Sequence, residues 1–180
     1  ILVVAVARSL HLSTLDVRQA FLHAKLDRPL YMRVPPGLPR VDADNQRLVV
    51  RLHKSIYGLR QAGREWNKVF VDFIVGWGFS QSTADTCLFT YAPPDAQLPQ
   101  LIIVIWVDDV ILADDDDKVR TAFTDALSAK FQIVLKLQLD WILGIRVEHD
   151  RRQRQISLSQ EMYVNSLLQK YAPHLTDTSR

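Results

Sequence analysis

Asp108 and Asp109 interrupt an apolar run, LIIVIWVDDVILADDDD (101–117), that otherwise has the composition of a buried strand. Neighbouring side chains on a regular strand point to opposite faces, so the pair cannot serve one site from mid-strand. They can do so as the turn of a hairpin with arms Leu101–Val107 and Val110–Ala113. Both arms are apolar on both faces, which places the hairpin inside the domain. Adjacent carboxylates repel and are costly to desolvate. A divalent cation removes both costs, and Mg²⁺ favours a few carboxylate oxygens together with waters and substrate phosphates. A solvated turn that merely carries two aspartates is the alternative. A third isolated carboxylate, Asp16 in TLDVRQAF, ends another apolar strand that leads into a helix. Three such carboxylates meeting at one place could hold two Mg²⁺ ions, which activate a 3′-hydroxyl and stabilise a pyrophosphate leaving group in in-line phosphoryl transfer.

The later acidic run, Asp114–Asp117, has a different reading. It immediately precedes a helical pattern, where carboxylates oppose the positive end of the helix dipole and cap free N–H groups. A calcium loop is excluded because its glycine and terminal glutamate are missing.

Charge is distributed around these aspartates in an uneven way. The net charge is +2, from 22 basic and 20 acidic residues. Six of the acidic ones lie between Asp108 and Asp117, which leaves 22 basic against 14 acidic elsewhere. Basic residues gather at Arg51–Lys68 (Arg51, Lys54, Arg60, Arg64, Lys68, with His53) and at Arg146–Arg154 (Arg146, Arg151, Arg152, Arg154). A basic body around an acidic focus suits a polyanion held against metal ions, with ordinary solvated surface charge as the other reading.

The elements that must position these groups follow from periodicity. Trp66, Val69, Phe70, Phe73, Ile74 and Trp77 recur at helical spacing, predicting a helix over Gly63–Gly78 with one apolar face. That face is read as core, Trp66 included, and carries no chemistry. Val119, Phe123, Leu127 and Phe131 predict a second helix, and Glu161–Tyr171 a third with Tyr163, Val164, Leu167, Leu168 and Tyr171 on one side. Strands are expected at Ser13–Val17, Leu30–Val34, Arg47–Leu52, Thr86–Tyr91, the two arms around the aspartates, Leu143–His149 and Gln155–Ser159. Pro35–Pro39 and Ala92–Pro99 read as loops. The alternation is irregular and includes two hairpins, so an α+β fold is expected rather than a parallel doubly wound sheet.

With 180 residues and 48% apolar composition the chain can build one domain, or one and the start of another. A single cysteine, Cys87, excludes an internal disulfide and a cysteine-cluster zinc site, in keeping with an intracellular protein. The longest apolar runs, Ile1–Ala7 and Leu101–Val107, are too short to span a bilayer, and no secretory signal pattern is present, so no membrane partner is expected. The chain opens on apolar residues without Met, as a segment of something longer would.

Four blocks in order, LDVRQAFLHAKLDRPLYMRVPPG (15–37), RLHKSIYGLRQAGREW (51–66), WVDDVILAD (106–114) and ILGIRVEHD (142–150), resemble the reverse transcriptase of copia-type LTR retrotransposons. The likeness continues through ISLSQEMYVNSLLQKYAP. It implies a right-hand polymerase palm, an antiparallel sheet backed by helices, with partial fingers and the start of the thumb or connection. The implied division is palm and part of the fingers over 1–150, then thumb or connection from 151 to 180.

Asp16, Asp108 and Asp109 would be the catalytic, metal-holding triad for two Mg²⁺ ions, with Mn²⁺ a possible substitute. Asp16 and Asp108 would hold both ions and Asp109 would support them. Phe21 would lie under the sugar of the incoming dNTP and exclude a 2′-hydroxyl. Tyr57 and Gly58 would line the nucleotide pocket, and Arg60 and Gln61 would face the template. Trp106 would stand beside the primer terminus, and Leu143, Gly144 and Ile145 would hold the primer end, with a basic tip at Arg151, Arg152 and Arg154.

Implied partners are an RNA or DNA template with its primer, dNTP, and the integrase, ribonuclease H and protease domains of a parent polyprotein. A cytoplasmic virus-like particle or the nucleus is the implied location. The sequence departs from the family at Trp106 (usually tyrosine), Gly63 (proline), Ala24 (glycine) and in VLKLQLDWILGI, where a DLG stretch is usual. The finger segment before the first aspartate strand is also expected to be absent. A degenerate remnant that at most binds nucleic acid or Mg²⁺ is the second reading. A cyclase-type enzyme would share the paired carboxylates but has no reason to carry YGLRQAG or LGI.

Overall fold

The computed structural model describes residues 1–172. Helix α1 (Leu2–Arg8) leads into strand β1 (His11–Val17), a short 3₁₀ turn (Ala20–His23), β2 (Lys25–Arg33) and β3 (Val49–Lys54). Helix α2 (Ala62–Trp77) precedes β4 (Ser80–Gln81), β5 (Leu88–Tyr91), β6 (Leu101–Trp106) and β7 (Asp109–Asp114). Then come α3 (Asp117–Ser128), β8 (Ile133–Lys136), β9 (Trp141–Ile142), β10 (Ile145–Asp150), β11 (Gln155–Ser159) and α4 (Glu161–Tyr171). The expected α+β character holds: among the described residues four helices accompany three antiparallel sheets.

Six strands form the main sheet in the order β4-β5-β6-β7-β1-β8. Alternation along the central strands divides their side chains between two cores. Leu15 and Val17 of β1, Leu101, Ile103 and Ile105 of β6, and Val110 and Leu112 of β7 share one buried cluster with Trp66, Phe70 and Ile74 of α2 and Phe123 and Leu127 of α3. Leu12, Ile102, Ile111 and Ala113 face the other way, into a cluster with Ala5 of α1, Leu139 and Val147. This is why the arms around the aspartates are apolar on both faces: each face has its own cover.

The strand and helix expectations hold in outline and shift in detail. The second helix stops at Ser128, and Phe131 reaches the core from the turn that follows, whose N–H bonds the Leu127 carbonyl at 2.9 Å. The strand expected at Leu30–Val34 instead runs over Lys25–Arg33, with Pro29 inside it, where the register shifts between Lys25 and Leu30. Helix α4 forms where its stripe predicts, yet none of its residues is buried. Tyr163, Val164, Leu167 and Tyr171 all stay exposed. Four elements were not expected from the sequence. Helix α1 was legible only as an apolar run, while β4, β8 and β9 have two to four residues each.

The acidic run after β7 is divided by the fold. Asp116 caps α3, accepting from the Lys118 N–H at 2.8 Å, as expected. Asp114 instead lies fully buried at the end of β7, held by the Arg120 guanidinium at 2.6 Å. Burial pushes its carboxyl above the usual value even though Arg120 pulls the other way. Asp115 pairs with Arg8 at 3.1 Å, tying α1 to the same corner.

Candidate active site

Antiparallel register brings the three aspartates to one end of the main sheet. Asp16 on β1 lies directly opposite Asp109 on β7, and Asp109 lies opposite Trp106 on β6. Directly opposed residues share a face. Asp16 and Asp109 alternate with Leu15 and Val110, so they face away from α2 and α3, on the side where α1 and the small β9–β10–β11 sheet cover the sheet's other end. The carboxylate end of that face is left open. There Asp16 and Asp109 border one groove with Thr14, Arg18, Lys136 and Trp141. Asp16 and Asp108 border a second groove with Arg18, Gln19, Tyr57 and Gln132.

One correction concerns the hairpin itself. Its two-residue loop is Val107–Asp108, because Trp106 pairs with Asp109; Asp109 is therefore the first strand residue and not half of the turn. The expected problem of opposite-facing neighbours is solved all the same, since only one of the two sits on a strand. Val107 occupies φ +59°, a conformation that hairpin loops demand and β-branched residues resist. Two hydrogen bonds pin this loop. The Trp66 indole N–H donates to the Val107 carbonyl at 2.7 Å, and the Val17 N–H donates to the Asp108 carbonyl at 3.2 Å. Trp66 was read from sequence as core alone. The available signal was that a buried indole needs an acceptor.

Burial, then the charges of Asp108 and Asp16, push the Asp109 carboxyl above the usual carboxylate value. Among the described residues none of the three aspartates has a salt-bridge partner. Oxygen donors without a protein counter-ion suit a hard cation such as Mg²⁺. Still, no three His, Cys, Asp or Glu side chains among the described residues converge closely enough to chelate an ion. By donor chemistry the set fits a metal; as it stands it does not form a closed cage.

The raised value has a thermodynamic consequence. Protonated Asp109 contributes stability below the ordinary carboxylate pKa, and that contribution is lost as pH rises through the raised one. Metal-free Asp109→Asn is therefore expected to melt roughly 2 °C above the parent at pH 7, a modest relief for a chain of this length. The gap should narrow toward about pH 4, as the parent carboxyl takes up its proton on the way down through its raised value. Calorimetry in EDTA at both pH values checks this, and an equal gap at both would refute it.

The other predicted residues occupy distinct places. Tyr57 is exposed and lines the second groove. Phe21 packs behind it, ring centroids 4.6 Å apart, with its other side toward the core; Phe21 does not itself line the groove. Gly58 has φ +92° and open space where a side chain would project, so the backbone conformation selects glycine there. Gln61 is the α2 N-cap residue without a side-chain cap bond, and Arg60 just before it is exposed. Trp106 is 59% exposed on the same face as Asp109.

Leu143 and Gly144, both at positive φ, form the two-residue loop between β9 and β10, with Ile145 starting β10. Strand β9 reaches the aspartate groove through Trp141 and Ile142. The basic tip is separate from that loop. Arg151, Arg152 and Arg154 lie in the β10–β11 turn, at the opposite end of β10 from Leu143 and Gly144. Arg151 is committed there, donating to the Ser9 carbonyl at 2.6 Å and bonding the His11 ring.

This α+β domain thus gathers three carboxylates without salt-bridge partners among the described residues at an open sheet end, with Arg18 and Lys136 lining the same groove. The chain belongs to the reverse transcriptase (RNA-dependent DNA polymerase) family, whose model matches residues 1–179. It is 37% identical over 168 residues to the Retrovirus-related Pol polyprotein from transposon RE2 of Arabidopsis thaliana, covering 93% of this chain and 11% of that protein. To the Retrovirus-related Pol polyprotein from transposon RE1 of the same plant it is 34% identical, again over 93% of this chain and 11% of the relative. A third relative, the Retrovirus-related Pol polyprotein from transposon TNT 1-94 of Nicotiana tabacum, is 30% identical over 95% of this chain and 13% of its own length. The chain thus spans roughly a tenth of these polyproteins. Among the described residues no helix is long and apolar enough to cross a membrane.

Proposed function

We propose that this domain is the palm of a copia-type reverse transcriptase, acting in nucleotidyl transfer from a dNTP to a primer 3′-hydroxyl. The observation that carries the reading is the cross-strand pair Asp16–Asp109, with Asp108 in the adjoining loop, at the open end of the sheet. Two Mg²⁺ ions, or Mn²⁺ in their place, would supply activation of the hydroxyl and neutralisation of the departing pyrophosphate when bound there. Asp16 and Asp108 would hold them, and Asp109 would add negative charge beside Asp16.

The groove lined by Tyr57, Gln19 and Gln132 would take the nucleotide. Gly58 leaves room for its close approach, and Tyr57, braced by Phe21, sets how much room the sugar has. Arg60 and Gln61 would meet the template, Trp106 the primer terminus, and the Leu143–Gly144–Ile145 loop the primer strand. Residues 1–150 would form the palm with part of the fingers, and 151–180 the start of the thumb or connection, of which 173–180 lie outside the described residues. The parent polyprotein would supply integrase, ribonuclease H and protease domains, in a cytoplasmic virus-like particle or the nucleus.

Phe21→Ala removes the brace behind Tyr57. The variant is expected to lower the preference for dNTP over NTP by roughly tenfold to a hundredfold, the scale set by losing one steric contact in a pocket. Single-nucleotide incorporation with dTTP and UTP in parallel measures it. An unchanged ratio would remove Phe21 from sugar selection.

A non-catalytic remnant is the second reading, favoured by the open geometry of the carboxylates and by VLKLQLDWILGI (134–145), where the DLG stretch usual in the family is unrecognisable. Primer extension on poly(rA)/oligo(dT), with Mg²⁺ or Mn²⁺, separates the two.

A further inference from the structure

The loop that carries Asp108 is held in a conformation its own sequence disfavours. A valine at φ +59° is strained and persists only where surroundings over-determine it. No side chain of the loop supplies that restraint, and Val107 itself is 43% exposed. The restraint comes from beneath. Trp66 is 1% exposed, stacked on Phe70 at 5.2 Å and edge-on to Phe131 at 5.4 Å. A ring so enclosed has one settled orientation, and its only polar atom points at the Val107 carbonyl, 2.7 Å away.

The geometry assigns Trp66 as a positioning residue: its indole N–H fixes the strained Val107–Asp108 loop and thereby the Asp108 carboxylate relative to Asp16. The role rests on the polymerase reading for its catalytic consequence, though not for its structural one. The Val17 N–H, one residue past Asp16, secures the other loop carbonyl at 3.2 Å. The two bonds together tie Asp108 to the α2 core on one side and to the Asp16 strand on the other. A core role alone would need only the ring's volume. The positioning role needs the N–H.

The test compares the parent chain with Trp66→Phe, which keeps an aromatic ring in the same core and loses the donor. A second variant replaces Trp66 by benzothienylalanine, a same-shaped ring with sulfur in place of N–H, in case phenylalanine leaves too much space. Amide hydrogen exchange of the 101–114 segment is read without metal, and Mn²⁺ affinity by electron paramagnetic resonance. Loss of the donor should speed exchange at the loop about fivefold, the ratio expected for one net hydrogen bond, with α2 unaffected. Mn²⁺ binding should weaken by a similar factor, and the Mg²⁺ concentration for half-maximal extension should rise while the KM for dNTP stays.

Loop exchange and Mn²⁺ affinity both at parental values in the benzothienylalanine variant would overturn the assignment. Faster loop exchange in the variants, beside a parent that binds no Mn²⁺, would support the anchoring by Trp66 while refuting the metal reading of the aspartates. The two failures are thereby distinct.

Discussion

Asp108→Asn is expected to cut metal-dependent primer extension by roughly a hundredfold to a thousandfold, about 3–4 kcal/mol of transition-state stabilisation. The substitution keeps the shape of the side chain and removes one of three clustered charges. It leaves both hydrogen bonds to the loop carbonyls intact, because those involve backbone oxygens of Val107 and Asp108. The fold should therefore survive, and the melting temperature without metal should stay or rise slightly as the repulsion on Asp109 falls. The assay needs the chain with its flanking segments as well as the chain alone, each beside its Asp108→Asn counterpart. Extension that persists in the variant would remove Asp108 from the chemistry. Silence from a well-folded, extended parent would favour the non-catalytic remnant.

The second large effect is on stability and lies far from the carboxylate groove. Arg120→Met should destabilise the domain by about 3 kcal/mol, the cost of leaving a buried carboxylate without its partner. Asp114 has no exposed surface, and its second carboxylate oxygen has no hydrogen-bond partner among the described residues. Arg120 alone, at 2.6 Å, compensates it directly. Burial already raises the Asp114 pKa, and removing Arg120 raises it further. The penalty should therefore shrink as pH falls and the carboxyl takes up a proton. Urea unfolding at neutral and acidic pH measures both parts, and the pair Arg120→Met with Asp114→Asn should recover most of the loss. A loss under about 1 kcal/mol would show that the interior solvates Asp114 by other means.

Much of this was legible from residue types, and the exceptions have physical causes. The α2 stripe and the doubly apolar arms of the β6–β7 hairpin were clear because each element buries a whole face or both. The hairpin loop was misplaced by one residue because two aspartates are better turn formers than Val-Asp. The valine's carbonyl is held by an indole 41 residues distant in sequence. The Asp114 pair was hidden within a run of four aspartates that read as a single helix-capping stretch. Strand β8 exists by virtue of its partner β1, and the basic tip was displaced because sequence does not tell which end of β10 faces the aspartates. The resemblance placed both Tyr57 and Phe21 at the nucleotide pocket; Tyr57 lines a groove and Phe21 packs behind it, a distinction no local pattern carries.

The strand order has a consequence for how the chain acquires its site during synthesis. Strand β1 is inserted between β7 and β8, so both of its partners are made roughly 90 or more residues later. At a ribosomal pace of about 5–20 residues per second, β1 waits several seconds with both edges unpaired. Closing a loop of that length also costs about 4 kcal/mol of chain entropy before any contact repays it. The ladder that completes the sheet also sets Asp16 beside Asp109, so the acidic centre is absent from every nascent intermediate that precedes β7. A polypeptide stalled or cleaved before that point would retain an adhesive strand without any of the chemistry, a natural substrate for chaperones and proteases.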